Sequence, residues 1–91
     1  MHYEWDENKN NVNFKKHGID FYVAIHVFDD PNCIEMYDFE HSDEEDRYIA
    51  IGSVEEVLFV VFVERKNAIR IISARIATER ERRIYYEQYN Y

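Results

Sequence analysis

The chain has 91 residues and a net charge of −8, with 46% hydrophobic and 16% aromatic residues. This length supports one domain over residues 1–91, and this composition excludes an intrinsically disordered chain. The single cysteine, Cys33, excludes an internal disulfide, and the longest apolar run, residues 57–63, is too short to span a bilayer. We therefore expect a cytoplasmic protein without a signal peptide or a membrane segment.

Charge is distributed unevenly along the chain. Residues 29–46 hold nine acids and neither lysine nor arginine, whereas residues 65–83 hold seven basic residues and two acids, hence +5. The net negative charge argues against electrostatic attraction of the whole molecule to nucleic acid, yet an acidic protein can present one basic face. The alternative is that the two oppositely charged segments pair with each other.

Two helices are predicted at the N-terminus. Asp6 can cap the first, over residues 7–17, and Gly18 is a typical helix end. Asp20 can cap the second, over residues 21–28. The second helix has apolar residues at the i, i+3, i+4 and i+7 spacing of one buried face: Phe21, Ala24, Ile25 and Phe28.

Four strands are predicted to follow. They cover residues 33–39, 47–53, 57–63 and 68–75. The third is apolar on both faces, which is typical of a central strand, and the connections after it are too short for a crossover. Strands joined by short turns form an antiparallel meander, so we expect an α+β domain with a four-stranded antiparallel sheet between two N-terminal helices and a C-terminal helix.

The C-terminal helix begins where the last strand ends. Thr78 and Glu81 have the spacing of a capping box, in which each side chain bonds the backbone N–H of the other residue. The strand before it carries Arg70 and Arg75. One interpretation is a core strand followed by a solvated helix. Arg70 interrupts an otherwise apolar run, however, and this leaves anion binding and salt bridging equally open for the arginines.

Several stretches, in order along nearly the whole chain, carry a resemblance to a known family. They are residues 4–9 (EWDENK), 16–18 (KHG), 27–31 (VFDDP), 40–43 (EHSD), 45–52 (EDRYIAIG), 70–75 (RIISAR) and 78–85 (TERERRIY). With these stretches the sequence resembles the BrnT family of toxins from bacterial type II toxin–antitoxin systems, which are small ribonucleases with a RelE-like fold.

The resemblance implies RNA cleavage without a metal ion, inhibition of translation, and neutralisation by a cognate BrnA-like antitoxin. It also implies that DNA is contacted only indirectly, through the antitoxin, and it allows a homodimer or a heterotetramer with the antitoxin. The sequence departs from the family at Glu79, where a basic residue is common, and at Glu44 and Glu45 in the acidic loop. These acids oppose RNA binding.

Metal-free RNA cleavage needs a base for the 2′-hydroxyl, cations for the phosphorane-like transition state, and an acid for the leaving 5′-oxygen. The cation candidates are Arg47, Arg70 and Arg75, because the planar arginine fork binds two phosphate oxygens. Ideal strand alternation places Arg70 and Arg75 on opposite faces, and Arg75, at the strand-to-helix junction, is favoured for the phosphate. The alternative for each arginine is a salt bridge to the acidic loop.

Four side chains are candidates for the base: Glu40, His41, Lys16 and His17. Histidine can serve as base or acid near neutral pH, and Glu40-His41 lies on a loop, where active groups are common. Lys16 and His17 end a helix, where the dipole favours a cation whatever the function. No zinc-binding spacing links Cys33 to the histidines, so no metal is expected.

The C-terminal helix offers further candidates for RNA and partner binding: Arg80, Arg82, Arg83 and Tyr85. The tail contains four tyrosines, Tyr85, Tyr86, Tyr89 and Tyr91. Tyrosine can stack on bases, although core packing and partner contact explain these residues better. Arginine and tyrosine are also enriched in interface hot spots, so this helix is where we expect the antitoxin to bind. Two functions therefore compete: a ribonuclease toxin, and a RelE-like binding module with weak or no activity that engages an antitoxin and takes part in autoregulation.

Overall fold

The structure, a computed structural model, describes residues 2–88. Its strands are β1 His2–Glu4, β2 Ile34–Tyr37, β3 Tyr48–Val54, β4 Glu56–Arg65 and β5 Ala68–Ile76. Its α-helices are α1 Glu7–His17, α2 Phe21–Ala24 and α3 Glu79–Glu87. A 3₁₀ helix, Ile25–Asp29, continues α2. No helix in residues 2–88 has both the length and the apolar character needed to cross a membrane.

The strands form one sheet in the order β1-β5-β4-β3-β2. Strands β2 to β5 are antiparallel neighbours, as the short connections predict, but β1 pairs in parallel with β5. The α+β class is therefore confirmed, whereas the prediction of four strands, all antiparallel, is wrong. Three residues are too few to show a periodicity, and a parallel pair has no hairpin turn to reveal it.

The first N-terminal helix has the predicted bounds. The Asp6 carboxylate accepts hydrogen bonds from the backbone N–H groups of Asn8 and Lys9, and Gly18 ends the helix at φ 74°. The second is α-helical for only four residues, so the prediction over residues 21–28 is wrong in its second half. That half winds more tightly as a 3₁₀ helix, which is common at helix ends.

Gly52 in β3 allows this 3₁₀ helix to pack closely on the sheet. A Cβ atom added to Gly52 would lie 2.9 Å from the Cβ and from the carbonyl oxygen of Val27. Val27 is fully buried there, between the sheet and the N-terminal helices. Any larger residue at position 52 would displace the 3₁₀ helix, because protein interiors leave no room at this distance.

Apolar side chains cover both faces of the sheet. The N-terminal helices cover one face, where Phe21 packs with Phe62 and Ile71 in the larger core cluster. The C-terminal helix covers part of the other face, where Tyr85 packs with Ile51 in a smaller cluster. Since α3 has only nine residues, it leaves the rest of the second face uncovered, and the site described below lies there.

Asp30 connects α3 to the sheet. Its carboxylate accepts hydrogen bonds from the Tyr85 hydroxyl, from the Ser53 N–H and from the Asn32 N–H. Burial acts to raise the pKa of Asp30, but these three hydrogen bonds outweigh it and hold the pKa below its ordinary value. The predicted capping box is also present, since Thr78 and Glu81 bond each other's backbone N–H.

A β-bulge in β5 changes which way its arginines face. Val61 pairs with Ser73 and the next residue, Phe62, pairs with Ile71, so one residue of β5 is inserted between the pairs. The insertion places Arg70 and Arg75 on the same face of the sheet, the face partly covered by α3. The prediction of opposite faces, which assumed regular alternation, is therefore wrong.

Asn13 of α1 seals the open edge of β5 beyond the short partner β1. Its amide nitrogen donates to the Ala74 carbonyl at 2.8 Å, and its amide oxygen accepts from the Ala74 N–H at 3.1 Å. The side chain therefore forms the pair of hydrogen bonds that a neighbouring strand would otherwise supply.

Candidate active site

A cavity of about 460 Å³ lies on the sheet face that α3 leaves open. It brings together the loop after β2, the start of β3, the middle of β4 and β5, and the first turn of α3. Its lining consists of Asp38, Glu40, His41, Arg47, Ile49, Phe59, Val61, Ile72, Ser73, Arg75 and Glu81. Four of the seven predicted catalytic candidates are among these residues: Glu40, His41, Arg47 and Arg75.

Asp38 holds the imidazole of His41 at the edge of this cavity. The two carboxylate oxygens lie 3.1 and 3.0 Å from Nδ1 of His41. The Asp38 side chain is 8% exposed and that of His41 is 62% exposed. A carboxylate acceptor favours the tautomer with hydrogen on Nδ1, so Nε2 is left as the acceptor. The pair is therefore arranged as a buried acid that orients an accessible base.

Ser42 fixes the backbone of this loop. Its hydroxyl donates to the carbonyl of Asp38 at 2.6 Å and accepts from the N–H of Arg47 at 2.9 Å. The N–H of Asp38 also donates to the carbonyl of Arg47 at 2.9 Å. These bonds close the loop at its base, so Asp38 and Arg47 keep a fixed separation although the loop between them is exposed.

Arg47 is the partly exposed cation of the site. Within residues 2–88, no carboxylate lies within 4.0 Å of its guanidinium. Arg47 also lines an adjoining cavity of about 340 Å³, which is otherwise formed by loop residues: His41, Asp43, Glu44 and Glu45. The alternative for Arg47, a salt bridge to the acidic loop, is absent from the described part of the chain. Its guanidinium is therefore available to an anion.

Arg75 is held on two sides. Its Nη1 and Nη2 atoms donate to the two carboxylate oxygens of Glu81 at 2.8 and 2.9 Å, a bidentate pair. Its guanidinium carbon lies 4.1 Å from the centre of the Phe59 ring. Burial acts to raise the pKa of Glu81, but hydrogen bonds from Arg75 and from Thr78 hold the pKa below its ordinary value.

The other three catalytic candidates lie elsewhere. Arg70 donates to Glu4 of β1 at 2.9 Å, so the position that appeared unusual in the sequence serves a salt bridge between strands. Lys16 and His17 line a separate groove between α1 and β5. The alternative of pairing with the acidic loop does not hold for Arg70 and Arg75, whose partners are Glu4 and Glu81. It does hold for Arg65, which pairs with Glu45 of that loop at 3.2 Å.

The C-terminal helix separates its predicted binding residues onto different faces. Tyr85 is 3% exposed in the core, so its ring is not available to stack on a base. Arg80 and Arg83 are exposed, and the guanidinium of Arg82 lies 5.6 Å from the centre of the Tyr86 ring. The tyrosines of the tail that the sequence suggested for stacking, at positions 89 and 91, lie outside the described residues.

Asp38, Phe59 and Glu81 were not predicted as site residues. The spacing of Asp38 and His41, three residues apart on one loop, was a usable indication of the acid–base pair. Glu81 was recognised only as a helix cap, and its second role needs the three-dimensional contact with Arg75. Phe59 reads in the sequence as one apolar residue within a buried strand, which conceals its contact with a guanidinium.

Comparison with known proteins places the chain in a family. The profile of one family, described as ribonuclease toxin, BrnT, of type II toxin–antitoxin system, matches residues 5–81. The chain belongs to the BrnT toxin family. Among curated proteins there is no sequence match. Among solved structures, the crystal structure of the Brucella abortus ribonuclease toxin BrnT matches with a TM-score of 0.67 and 25% identity. That match covers 87% of this chain and 100% of the Brucella chain.

The family assignment confirms the resemblance seen in the sequence. BrnT proteins are toxins of type II toxin–antitoxin systems, so an antitoxin partner is implied for this chain. The family is one of ribonucleases, which agrees in chemical class with a cavity that holds two arginines and an Asp–His pair.

Proposed function

We propose that this BrnT chain is an endoribonuclease that cleaves RNA without a metal ion, inhibits translation and is neutralised by a cognate antitoxin. The observation that carries the proposal is the grouping of Arg47, Arg75 and the Asp38–His41 pair around one cavity. Each supplies one requirement of the reaction: cations for the phosphate and an oriented base for the 2′-hydroxyl.

In the proposed reaction, Nε2 of His41 takes the proton of a 2′-hydroxyl, and the 2′-oxygen attacks the adjacent phosphorus. The bond from phosphorus to the 5′-oxygen breaks, which leaves a 2′,3′-cyclic phosphate and a 5′-hydroxyl. Arg47 binds a non-bridging oxygen and stabilises the charge that develops there, with Arg75 on the other side of the cavity. The leaving 5′-oxygen takes up a proton, for which we assign Glu40 in its protonated form. His41 then releases its proton to solvent and Glu40 regains one, so no proton is gained or lost overall.

The antitoxin is proposed to bind across α3 and the neighbouring sheet, where it would cover the cavity. The outward side of α3 presents Arg80 and Arg83 together with two partly exposed apolar residues, Ile84 at 38% and Tyr86 at 46% exposure. Arginine and tyrosine beside apolar surface are typical of interface hot spots. Contact with DNA would then be made by the antitoxin and not by this acidic chain.

A second function, an inactive binding module, is favoured by the state of Arg75. Its fork is occupied by Glu81, and three acids line the adjoining cavity. These charges oppose an RNA strand. The ribonuclease is the better-supported function, because the His41 side chain is 62% exposed and Arg47 has no carboxylate partner in residues 2–88.

The test is cleavage of a labelled RNA by the purified chain in excess EDTA, with the product ends identified. We expect cyclic phosphate and 5′-hydroxyl ends, and loss of cleavage in His41→Asn. The matched control is His26→Asn, since His26 forms the same kind of pair with Asp29, at 2.9 Å, outside the cavity. Cleavage that stops in EDTA and returns with Mg²⁺ would contradict the metal-independent reaction. Antitoxin binding without any cleavage would favour the binding module.

A further inference from the structure

The occupied fork of Arg75 raises the question of what Glu81 does besides capping α3. The cap needs only one carboxylate oxygen, Oε1, which accepts from the Thr78 N–H at 2.8 Å. Both oxygens nevertheless bind Arg75, and the Glu81 side chain is only 17% exposed. A carboxylate in this position uses the same pair of donors that a phosphate would use, because arginine binds both anions bidentately.

We infer that Glu81 is an internal competitor of RNA phosphate: it occupies the Arg75 fork in the free protein and must release it when an RNA phosphodiester binds. The inference rests on the proposed function and adds a residue that sets the phosphate affinity of the cavity. Arg47 and Arg75 line the same cavity. Of these two arginines, Arg75 is paired with a carboxylate and Arg47 is not, within residues 2–88. Phosphate would therefore bind first at Arg47 and then at Arg75.

The environment of Arg75 supports exchange of one anion for another without displacement of the side chain. Phe59 contacts the flat face of the guanidinium, and the Ile76 carbonyl accepts from Nη1 at 3.3 Å, so Arg75 keeps two contacts when Glu81 leaves. Arg75 is 33% exposed, which gives solvent and a ligand access to the pair. Solvent therefore partly screens the ion pair, which reduces its contribution to stability.

The chain allows a clean test of this competition. Glu81→Gln removes the charge but keeps an oxygen for the Thr78 N–H, and glutamine serves in capping boxes as glutamate does. Glu79→Gln removes the same charge from the same helical turn at an exposed position. A difference between the two variants therefore reports contact with Arg75, since both alter net charge and helix dipole alike.

The probe is a short 2′-O-methyl RNA, which cannot be cleaved because its attacking hydroxyl is blocked. We expect Glu81→Gln to bind it about tenfold more tightly than wild type, and Glu79→Gln at most about twofold more tightly. Addition of Arg75→Gln should abolish the gain in the Glu81→Gln background. Equal affinities in the two single variants, or a gain that survives Arg75→Gln, would overturn the inference.

Cleavage of unmodified RNA is measured in parallel, so that the two proposals fail separately. Tighter, Arg75-dependent binding by Glu81→Gln without cleavage by any variant would support the competition and contradict the ribonuclease. Cleavage by wild type with no gain in affinity in Glu81→Gln would support the ribonuclease and contradict the competition. Absence of binding in every variant would overturn the competition. Thermal unfolding of each variant shows that the compared proteins are folded.

Discussion

Asp38→Asn is the substitution that most directly tests the acid–base pair. The asparagine has nearly the same volume as Asp38, whose side chain is 8% exposed, so the loop can keep its shape. The amide can, however, turn its NH₂ group towards Nδ1 of His41. This would favour the tautomer with hydrogen on Nε2, and that nitrogen could then no longer accept the proton of the 2′-hydroxyl.

The size of the effect follows from the exposure of His41. A positioned general base contributes roughly 10²- to 10⁴-fold to a rate. The imidazole is 62% exposed and keeps some freedom to turn, so part of its activity survives the loss of Asp38. We therefore expect the lower end of the range, a decrease of about 10²-fold in the cleavage rate constant, or about 2.7 kcal/mol.

The assay is single-turnover cleavage at saturating protein, together with the affinity for the 2′-O-methyl RNA. The rate constant should decrease while the affinity changes less than about threefold, because Asp38 acts through His41 and does not bind phosphate. Asp43→Asn, an exposed acid of the same loop, controls for the change in charge. Equal rate constants for the two variants would refute the assignment of Asp38 as the positioning residue.

Three further predictions concern binding and stability. Arg47→Gln should weaken binding of the 2′-O-methyl RNA about tenfold and reduce the slope of its salt dependence by close to one ion, measured by fluorescence anisotropy. The control is Lys15→Gln, an exposed cation of α1 that lines neither cavity. The double reversal Arg80→Glu with Arg83→Glu should weaken antitoxin binding more than about tenfold, or about 1.4 kcal/mol, in calorimetry. Asp30→Asn should cost about 2 kcal/mol of unfolding free energy at pH 7 in urea titrations. Because the folded-state pKa of Asp30 is lowered, the stabilisation by its carboxylate is present above the ordinary aspartate pKa and is lost as the pH falls through the folded-state pKa. The destabilisation caused by Asp30→Asn should therefore decrease as the pH is lowered.

Local chemistry made most of the helix ends predictable from the sequence. Asp6, Gly18 and the Thr78–Glu81 box act within one turn of chain, and each lies where its spacing predicted. Features that depend on distant residues were not predictable. The parallel partner of β5 lies about 66 residues away along the chain.

The candidate site shows the same division between local and distant information. Glu40, His41 and Arg47 belong to one loop and the strand that follows, so their proximity could be foreseen. The sheet face of Arg70 was predicted wrongly, because the apolar residues around the bulge at positions 71–73 suit either register and do not reveal it. The pairing of Arg75 with Glu81 was also not predicted, since the capping box already explained the presence of Glu81.

The parallel pairing of β1 with β5 also governs when the molecule can fold. Glu4 binds Arg70, and Asn13 binds Ala74, so the N-terminal segment depends on residues that are synthesised 66 and 61 positions later. The N-terminal segment therefore has no sheet to pack on while the ribosome is still translating the hairpin of β4 and β5. Folding that relies on such distant contacts is comparatively slow. A nascent toxin thus completes its cavity, which Arg75 and Glu81 line, only after β5 and the start of α3 have been synthesised.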